Sequence, residues 1–252
     1  LFFFMIRRPP ISTLDRSSAA SDVYKRQFHN RDYRTGIEII VVERDPTYER
    51  ASTPRSSGGI RRLFSLPENI ELSNYSISFF DAFAKTMAIN GMNTDIGLKK
   101  NGYLFIVPPR ERNVLKRKFF SQLKLECNVN WLEPEEIKHQ YPSMNISDLG
   151  AAVHSPDAGW LDPYRVLMGF RHKAISMGVE FFTGEVTGFV WNNTIVTTAK
   201  LQSGQNIEAS LFINAAGAWE KDIYTMLNVK LPIEPMRRFE HYFECQEPIE
   251  PL

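Results

Sequence analysis

The sequence is poor in cysteine, carries no excess of charge of either sign, and has no apolar run long enough to cross a bilayer. Its two cysteines, Cys127 and Cys245, lie far apart and in no metal-ligand spacing, which excludes a disulfide framework or a zinc site and leaves two buried or free thiols. The five histidines, His29, His139, His154, His172 and His241, are equally scattered, so no metal is expected. Lys+Arg 30 against Asp+Glu 29 leaves a formal charge of +1, and nothing steers the whole chain toward nucleic acid or an anionic membrane. There is no internal repeat and no low-complexity linker. What is present, 252 residues with 43% hydrophobic and 23% charged side chains, has the composition of an ordinary globular protein with room for one sizeable domain or two small ones. Asn74, Asn145 and Asn192 each open an Asn-x-Ser/Thr triplet, a pattern that matters only in a secreted chain and carries no weight here.

The two ends stand apart from the rest. Residues 1–27 join Phe2-Phe3-Phe4, Arg7-Arg8-Pro9-Pro10 and Ser17-Ser18-Ala19-Ala20-Ser21 without helical or strand periodicity, and no foldable element is expected there. The apolar start, Leu1 to Ile6, is too short for a signal-peptide core or a membrane span, and no amphipathic helix of a transit peptide follows it. ISTLDRSSAASDVYKRQ resembles read-through of a sequencing adapter, so residues 1–27 are taken as a non-native leader and fold reasoning starts at Phe28. Glu250-Pro251-Leu252 brings neither a terminal helix nor a polar tail, and a cut is expected there as well.

Between these ends, Arg31 to Gly36 reads as the end of a helix, with Gly36 as its cap, entering the apolar run Ile37 to Val42 that closes on Glu43. That is the pattern of a buried parallel strand. A long helix is predicted from Ser65, its cap, to about Ile89, with Pro67 in the first turn and Ile70, Ile77, Phe80, Phe83 and Met87 buried, ended by Asn90-Gly91. Asn101-Gly102 predicts a hairpin between Gly97-Leu98 and Tyr103 to Val107. Glu111 to Leu125 reads as a basic helix whose Arg110, Arg112, Lys116, Arg117, Lys118 and Lys124 form a solvated face. Glu133-Pro134-Glu135-Glu136 opens a short helix, Ala151 to His154 is a strand, and Asp162-Pro163 caps a helix to about Met177, stopped by Gly178. Strands follow at about Val179–Phe182, Glu185–Trp191, Ile195–Leu201 and Leu211–Asn214, with a turn at Asn192-Asn193. A helix to about Leu227 comes next, and Ile233 to Cys245 alternates like a strand.

Three places carry the marks of a binding site. Glu43 ends the first parallel strand, where an acidic side chain can accept hydrogen bonds from the ribose of an adenine dinucleotide. Ser52-Thr53 and Ser56-Ser57-Gly58-Gly59-Ile60-Arg61 gather small residues and backbone amides that let an anion or a flat ring approach closely. Ile213-Asn214-Ala215-Ala216-Gly217-Ala218-Trp219 turns an apolar strand on small residues into a helix start, whose amides can face a pyrophosphate. Taken singly, these are also the features of a polar strand end, a flexible loop and a tight turn.

Together, and in this order, they resemble the D-amino-acid oxidase and sarcosine oxidase family of flavoproteins over nearly everything from Gly36 to Leu252. ERDPTYERASTPRSSGGIRRLFSLPENIELS, DAGWLDPYRVL, GEVTGF and INAAGAW are most similar to its FAD-dependent oxidoreductase domain proteins, related to a mitochondrial complex I assembly flavoprotein. The resemblance implies an α/β fold in which a Rossmann-type FAD-binding domain, here incomplete, interleaves with an α+β substrate domain built on an antiparallel sheet. The expected division is FAD-binding over 28–92 and 151–228, and substrate domain over 93–150 and 229–252. The family's N-terminal glycine loop and C-terminal portion are expected to be missing, leaving these 252 residues inactive by themselves.

On the family's pattern, Glu43 binds the adenosine ribose, Val186 offers its backbone to the adenine, and Ala215, Ala216 and Gly217 lie near the pyrophosphate, with Arg44, Ser52, Thr53 and Trp219 also among the implied cofactor-binding residues. Ser56, Gly58, Gly59 and Arg61 approach the flavin, and Arg61 is the implied catalytic cation, since a fixed positive charge stabilises charge that develops during hydride transfer. Where sarcosine oxidases place a second arginine for the substrate carboxylate, this sequence has Phe64, with Arg62 out of phase. The implied activity is oxidation of a C–N bond of an amine or N-substituted amino acid. An FAD-binding assembly factor for respiratory complex I, contacting its subunits with little turnover, is the alternative. A mitochondrial location follows from the resemblance alone, with the cytoplasm as the other choice.

Overall fold

The computed structural model describes residues 2–7, 38–241, 244 and 246. The expected helix end at 31–36, residues 8–27 of the leader and Cys245 lie outside them. The chain forms two compact units, each built from separate stretches: unit 1 holds residues 1–56, 87–92 and 166–239, and unit 2 holds 57–86, 93–165 and 240–252.

Unit 1 is centred on β2, Glu38–Glu43, whose burial is nearly continuous, as a strand covered on both faces requires. It pairs in parallel with β8, Glu180–Thr183, placing Glu43 opposite Thr183. On its other edge lies β1, Phe2–Arg7, antiparallel both to β2 and to β12, Leu211–Ala215, giving the order β12-β1-β2-β8. The expectation that residues 1–27 hold no element is therefore corrected over Phe2–Arg7. Five successive apolar residues suit an interior strand, and the pairing satisfies backbone groups on both neighbouring edges at once.

A second sheet of unit 1, β9 (Val186–Asn192), β10 (Ile195–Leu201) and β11 (Asn206–Glu208), is antiparallel, its first turn made by Asn193 at φ 57. Ile40, Val42, Val186, Ala199, Leu201, Ile207, Ala216 and Ile223 form the core between the two sheets and a C-terminal helix. Each large side chain of this kind contributes about 1.5–3 kcal/mol on burial. Ile39, Val41, Ala174 and Val179 form a second cluster on the other face of β2. Ala174 belongs to the helix Pro163–Ser176, which Gly178 at φ 91 ends, as the sequence predicts.

Unit 2 is built on the antiparallel sheet β4-β6-β5, of Tyr103–Val107, Ala151–Ser155 and Asn130–Leu132. The helices α1 (Pro67–Asp81), α2 (Phe83–Thr86), α3 (Arg112–Lys124) and α4 (Pro134–Gln140) complete it. Ile70, Val107, Leu115, Cys127, Val129, Ala151 and Val153 form its core. Cys127 is a buried free thiol, pushed above the ordinary thiol range by burial, against which the Arg62 charge acts.

Three further expectations change. The long helix from Ser65 begins at Pro67 with Leu66, not Ser65, at the cap position, and breaks at Ala82, whose amide bonds to Phe79 O at 3.1 Å and so tightens the last turn. Ile70, Ile77, Phe83 and Met87 are buried as predicted, whereas Phe80 is half-buried. The Gly97–Val107 hairpin does not form: Lys99 and Trp160 exchange backbone hydrogen bonds of 2.8 and 3.0 Å, and Tyr103–Val107 pairs with β6 instead. A long-range partner outcompetes the local turn, and Gly159 permits it, since a Cβ there would stand 1.9 Å from Lys99 O. Finally, residues 233–241 form no strand. Their alternating pattern needs a sheet edge to pair with, and Met236 and Phe239 stand exposed.

Candidate functional site

Two recesses, one in each unit, gather part of the residues singled out from the sequence: Arg44, Val186, Ala216 and Trp219 in unit 1, and Gly59 and Arg61 in unit 2. In unit 1, parallel pairing carries Glu43 to the C-terminal edge of the sheet, where ligands of open α/β sheets bind. Glu43 is 3% exposed, and its Oε1 accepts the Asp45 amide at 2.8 Å. Beside it opens a cleft of about 50 Å³ lined by Val42, Arg44, Gly184, Glu185, Val186, Ala216, Trp219, Asp222, Ile223 and Met226. The structure thus brings Arg44, Val186, Ala216 and Trp219 together from three distant stretches of chain. The Arg44 guanidinium lies 4.6 Å from the centre of the Trp219 ring and donates to Glu185 Oε1 at 3.4 Å.

The turn that follows β12 is set by Asn214. Its Oδ1 accepts the Ala216 amide at 3.1 Å, and its Nδ2 donates to Glu220 O at 3.1 Å, tying the strand end to a 3₁₀ turn over Gly217–Trp219 and the helix Glu220–Met226, α6. Gly217 has φ 54, and a Cβ there would meet nothing within 4 Å. Its backbone is strained for other residues, yet the space beside it is open. Ser52, Thr53 and Ser56 lie on the exposed loop after β2 and do not line the cleft. Thr53 O accepts both the amide and the hydroxyl of Ser56, at 3.1 and 2.8 Å, which makes a tight turn.

In unit 2, the loop after Ser56 runs into β3, Gly59–Ile60, which pairs with β7, Gly159–Trp160. Gly58 is needed by the fold: it has φ 69, and a Cβ would stand 2.0 Å from Leu161 O. Gly59 instead borders space, its nearest neighbour being Tyr103 Cε2 at 3.8 Å from a built Cβ. The Ser57 amide points to a carboxylate, donating to Glu240 Oε1 at 3.0 Å. Ser57, Gly59, Ile60, Arg61, Phe64, Ser73, Ser76, Ile77 and Tyr103 line an open cavity of about 370 Å³.

Arg61 is the cation of that cavity. Its guanidinium carbon lies 5.2 Å from the centre of the Phe64 ring and 5.5 Å from that of Tyr103, and Nη1 donates to the Tyr103 hydroxyl at 3.3 Å. Arg62 is spent elsewhere, on Asp157 Oδ2 at 2.7 Å, while Asn128 holds the other oxygen at 2.8 Å. The Ser73 and Ser76 hydroxyls donate back to Asn69 O and Leu72 O on their own helix, at 2.7 and 2.8 Å, so their oxygens are left as acceptors. Sequence reasoning missed Tyr103, Ser73, Ser76 and Asn214. Asn214 lay inside the small-residue turn read as a site, and Tyr103 directly after the Asn101-Gly102 turn, but neither was given a role of its own.

A buried acid at the C-terminal edge of a parallel strand and a small-residue strand-to-helix turn mark, in unit 1, the sheet edge at which open α/β folds bind nucleotides, while unit 2 adds an antiparallel sheet and a recess of its own. The family described as FAD dependent oxidoreductase matches residues 29–249, and the chain belongs to it. Among curated proteins it is similar to "FAD-dependent oxidoreductase domain-containing protein 1" of Xenopus laevis, 33% identical over 87% of this chain and 50% of that protein. It is also similar to human "Sarcosine dehydrogenase, mitochondrial", 31% identical over 64% of this chain and 18% of that protein. Among solved structures, L-proline dehydrogenase from P. horikoshii superposes with a TM-score of 0.62 at 28% identity, covering 71% of this chain and 46% of that one. The chain thus spans about half the length of the first of these relatives. Among the described residues, no helix is long and apolar enough to cross a membrane.

Proposed function

We propose that the whole protein binds FAD and oxidises a C–N bond of an amine or N-substituted amino acid. The observation that carries this reading is Arg61, a cation held by neutral groups in a cavity of about 370 Å³. FAD, when bound, supplies the acceptor for the hydride that leaves the carbon beside nitrogen. The residues in and next to the unit 1 cleft support a nucleotide end there: Arg44 and Val186, which line it, at the base, Ala216 and Trp219, which also line it, with Ala215 and Gly217 at the pyrophosphate, and Glu43 beside it as acceptor for ribose hydroxyls, with open space beside Gly217. Ser56, Gly58 and Gly59 belong to the flavin side of the same reading, Gly58 by fixing the loop and Gly59 by leaving room.

Within the cavity, Arg61 offers its remaining N–H groups to an anionic oxygen, and the Ser73 and Ser76 oxygens accept from an amine N–H. As hydride leaves the carbon, the nitrogen lone pair forms the C=N bond and an iminium cation remains, and the fixed guanidinium would stabilise the negative charge that arrives on the hydride acceptor, without having to reorganise. The similarity to a sarcosine dehydrogenase and an L-proline dehydrogenase supports the substrate class, and the mitochondrial name of the former supports a mitochondrial location.

Leu66, Leu72 and Tyr75, exposed on and beside α1, favour a second reading: an FAD-binding assembly factor for respiratory complex I, with an apolar surface for a protein partner. The visible spectrum of the full-length protein, before and after anaerobic addition of a panel of N-methyl amino acids, separates the two. A flavin band that bleaches with one of them supports oxidation and names the class. A flavin that stays oxidised with all of them favours the assembly factor, and a colourless protein sinks the FAD reading.

A further inference from the structure

We propose that Tyr103 is the positioning residue for Arg61: its ring and hydroxyl fix the guanidinium at the cavity wall while leaving the positive charge for a ligand. The proposal rests on the reading of this cavity as the reaction site, but the contacts that carry it are independent of any cofactor. Tyr103 opens β4 and pairs with Ser155 on the central strand β6, so its backbone is anchored in the sheet. From there its side chain reaches two points of the loop. Its Cε2 lies 3.8 Å from where a Gly59 Cβ would be, and its hydroxyl accepts from Arg61 Nη1 at 3.3 Å. Phe64 brings a second ring to the same guanidinium, 5.2 Å from its carbon, and such ring contacts attract the cation without neutralising it.

The neighbouring arginine shows what the alternative looks like. Arg62 is fixed by a carboxylate, Asp157, at 2.7 Å, and its charge is thereby balanced. Among the described residues no acid pairs with Arg61. Only one of its five N–H groups goes to Tyr103, which leaves others for a planar anion. Phenylalanine at this position would keep the ring contact and lose the hydroxyl; leucine would lose both.

The test is site-resolved modification of arginine by phenylglyoxal in the full-length protein, read by mass spectrometry as the ratio of rates at Arg61 and Arg62. Tyr103→Leu is expected to raise that ratio about fivefold, and Tyr103→Phe by about twofold or less, as the cation–π share is retained. Arg62 is the internal control: if Tyr103→Leu merely loosens the unit, both rates rise together and the ratio stays at its wild-type value, which counts against the positioning role. Sodium acetate is expected to protect Arg61 in the wild type and in Tyr103→Phe, and to fail in Tyr103→Leu. A ratio unchanged in both variants overturns the positioning role, and absence of acetate protection in the wild type overturns the availability of the charge. Because neither readout needs FAD, a colourless protein with the expected ratios sinks the oxidoreductase reading and leaves the role of Tyr103 standing.

Discussion

Each unit sets an arginine against aromatic rings, but the two sites differ in how that arginine is balanced. In unit 1, Arg44 lies over Trp219 and pairs with Glu185 beside a cleft of about 50 Å³. In unit 2, Arg61 lies near Phe64 and Tyr103 with a phenol as its hydrogen-bond partner, on a cavity of about 370 Å³. A cation whose charge is already answered by a carboxylate is a wall that orients a flat group. A cation answered only by rings and a hydroxyl remains a receptor for an anion. On the proposed function, the first site would recognise the nucleotide and the second the reacting molecule.

The largest effect expected from this contrast is at Arg61. Arg61→Met should lower kcat/KM for anaerobic flavin reduction about 10²-fold or more, the usual consequence of removing a fixed group that stabilises developing charge. Arg44→Met should leave that rate nearly unchanged and weaken FAD binding by about threefold to tenfold, measured by flavin fluorescence titration. Equal losses from the two variants would erase the division of labour. The glycines sharpen the same comparison. Gly58→Ala combines a left-handed backbone with a Cβ 2.0 Å from Leu161 O, and should cost about 3 kcal/mol in urea unfolding. Gly217→Ala meets only the backbone strain, about 1 kcal/mol, so any loss of FAD affinity beyond that reports on the ligand's approach to this turn. If Gly58→Ala is as mild as Gly217→Ala, the loop at Gly58 is not held by the backbone of Leu161.

How far these sites were legible in the sequence follows the range of the interactions that make them. The strand ending on Glu43 was legible because the apolar run from Ile37 to Val42 is a local pattern that burial on both faces demands. The helix after Asp162-Pro163 was legible for a similar reason: the Asp162 carboxylate accepts the Arg165 amide three residues on, at 3.0 Å. Gly58 was noticed, but as a point of ligand approach, whereas the structure assigns it a contact with Leu161, about a hundred residues away. No local spacing announces such a partner. The same holds for Lys99 with Trp160, which replaced the predicted hairpin, for Phe2–Arg7, which found two strands to join, and for Tyr103, whose importance lies wholly in what it meets across the unit.

Acid sensitivity gives the smallest expected effect and again divides the units. In unit 2, Arg112 donates to both oxygens of Glu133 at 2.5 Å and to Gly150 O at 2.6 Å, and Trp131 adds its indole N–H at 3.0 Å. The Arg112 hydrogen bonds, then that of Trp131, hold the Glu133 carboxyl at about 2, against an ordinary 4.5. A carboxylate lowered on folding contributes stability that is complete above about 4.5 and is lost as pH falls through about 2. With the Glu133 side chain 44% exposed, solvent screening limits the stake to about 1 kcal/mol or less. In unit 1 the corresponding group is Asp45, held low by the Thr47 hydroxyl and the Arg50 amide, with no cation as its leading partner. Added salt should therefore blunt the acid response around Glu133 more than that around Asp45, since screening weakens an ion pair more than neutral donors. Trp131 fluorescence reports the first directly. Glu133→Gln should flatten its change between pH 4.5 and 2 while Asp45→Asn leaves it intact, and an unaltered titration in Glu133→Gln would mean that Trp131 senses another group.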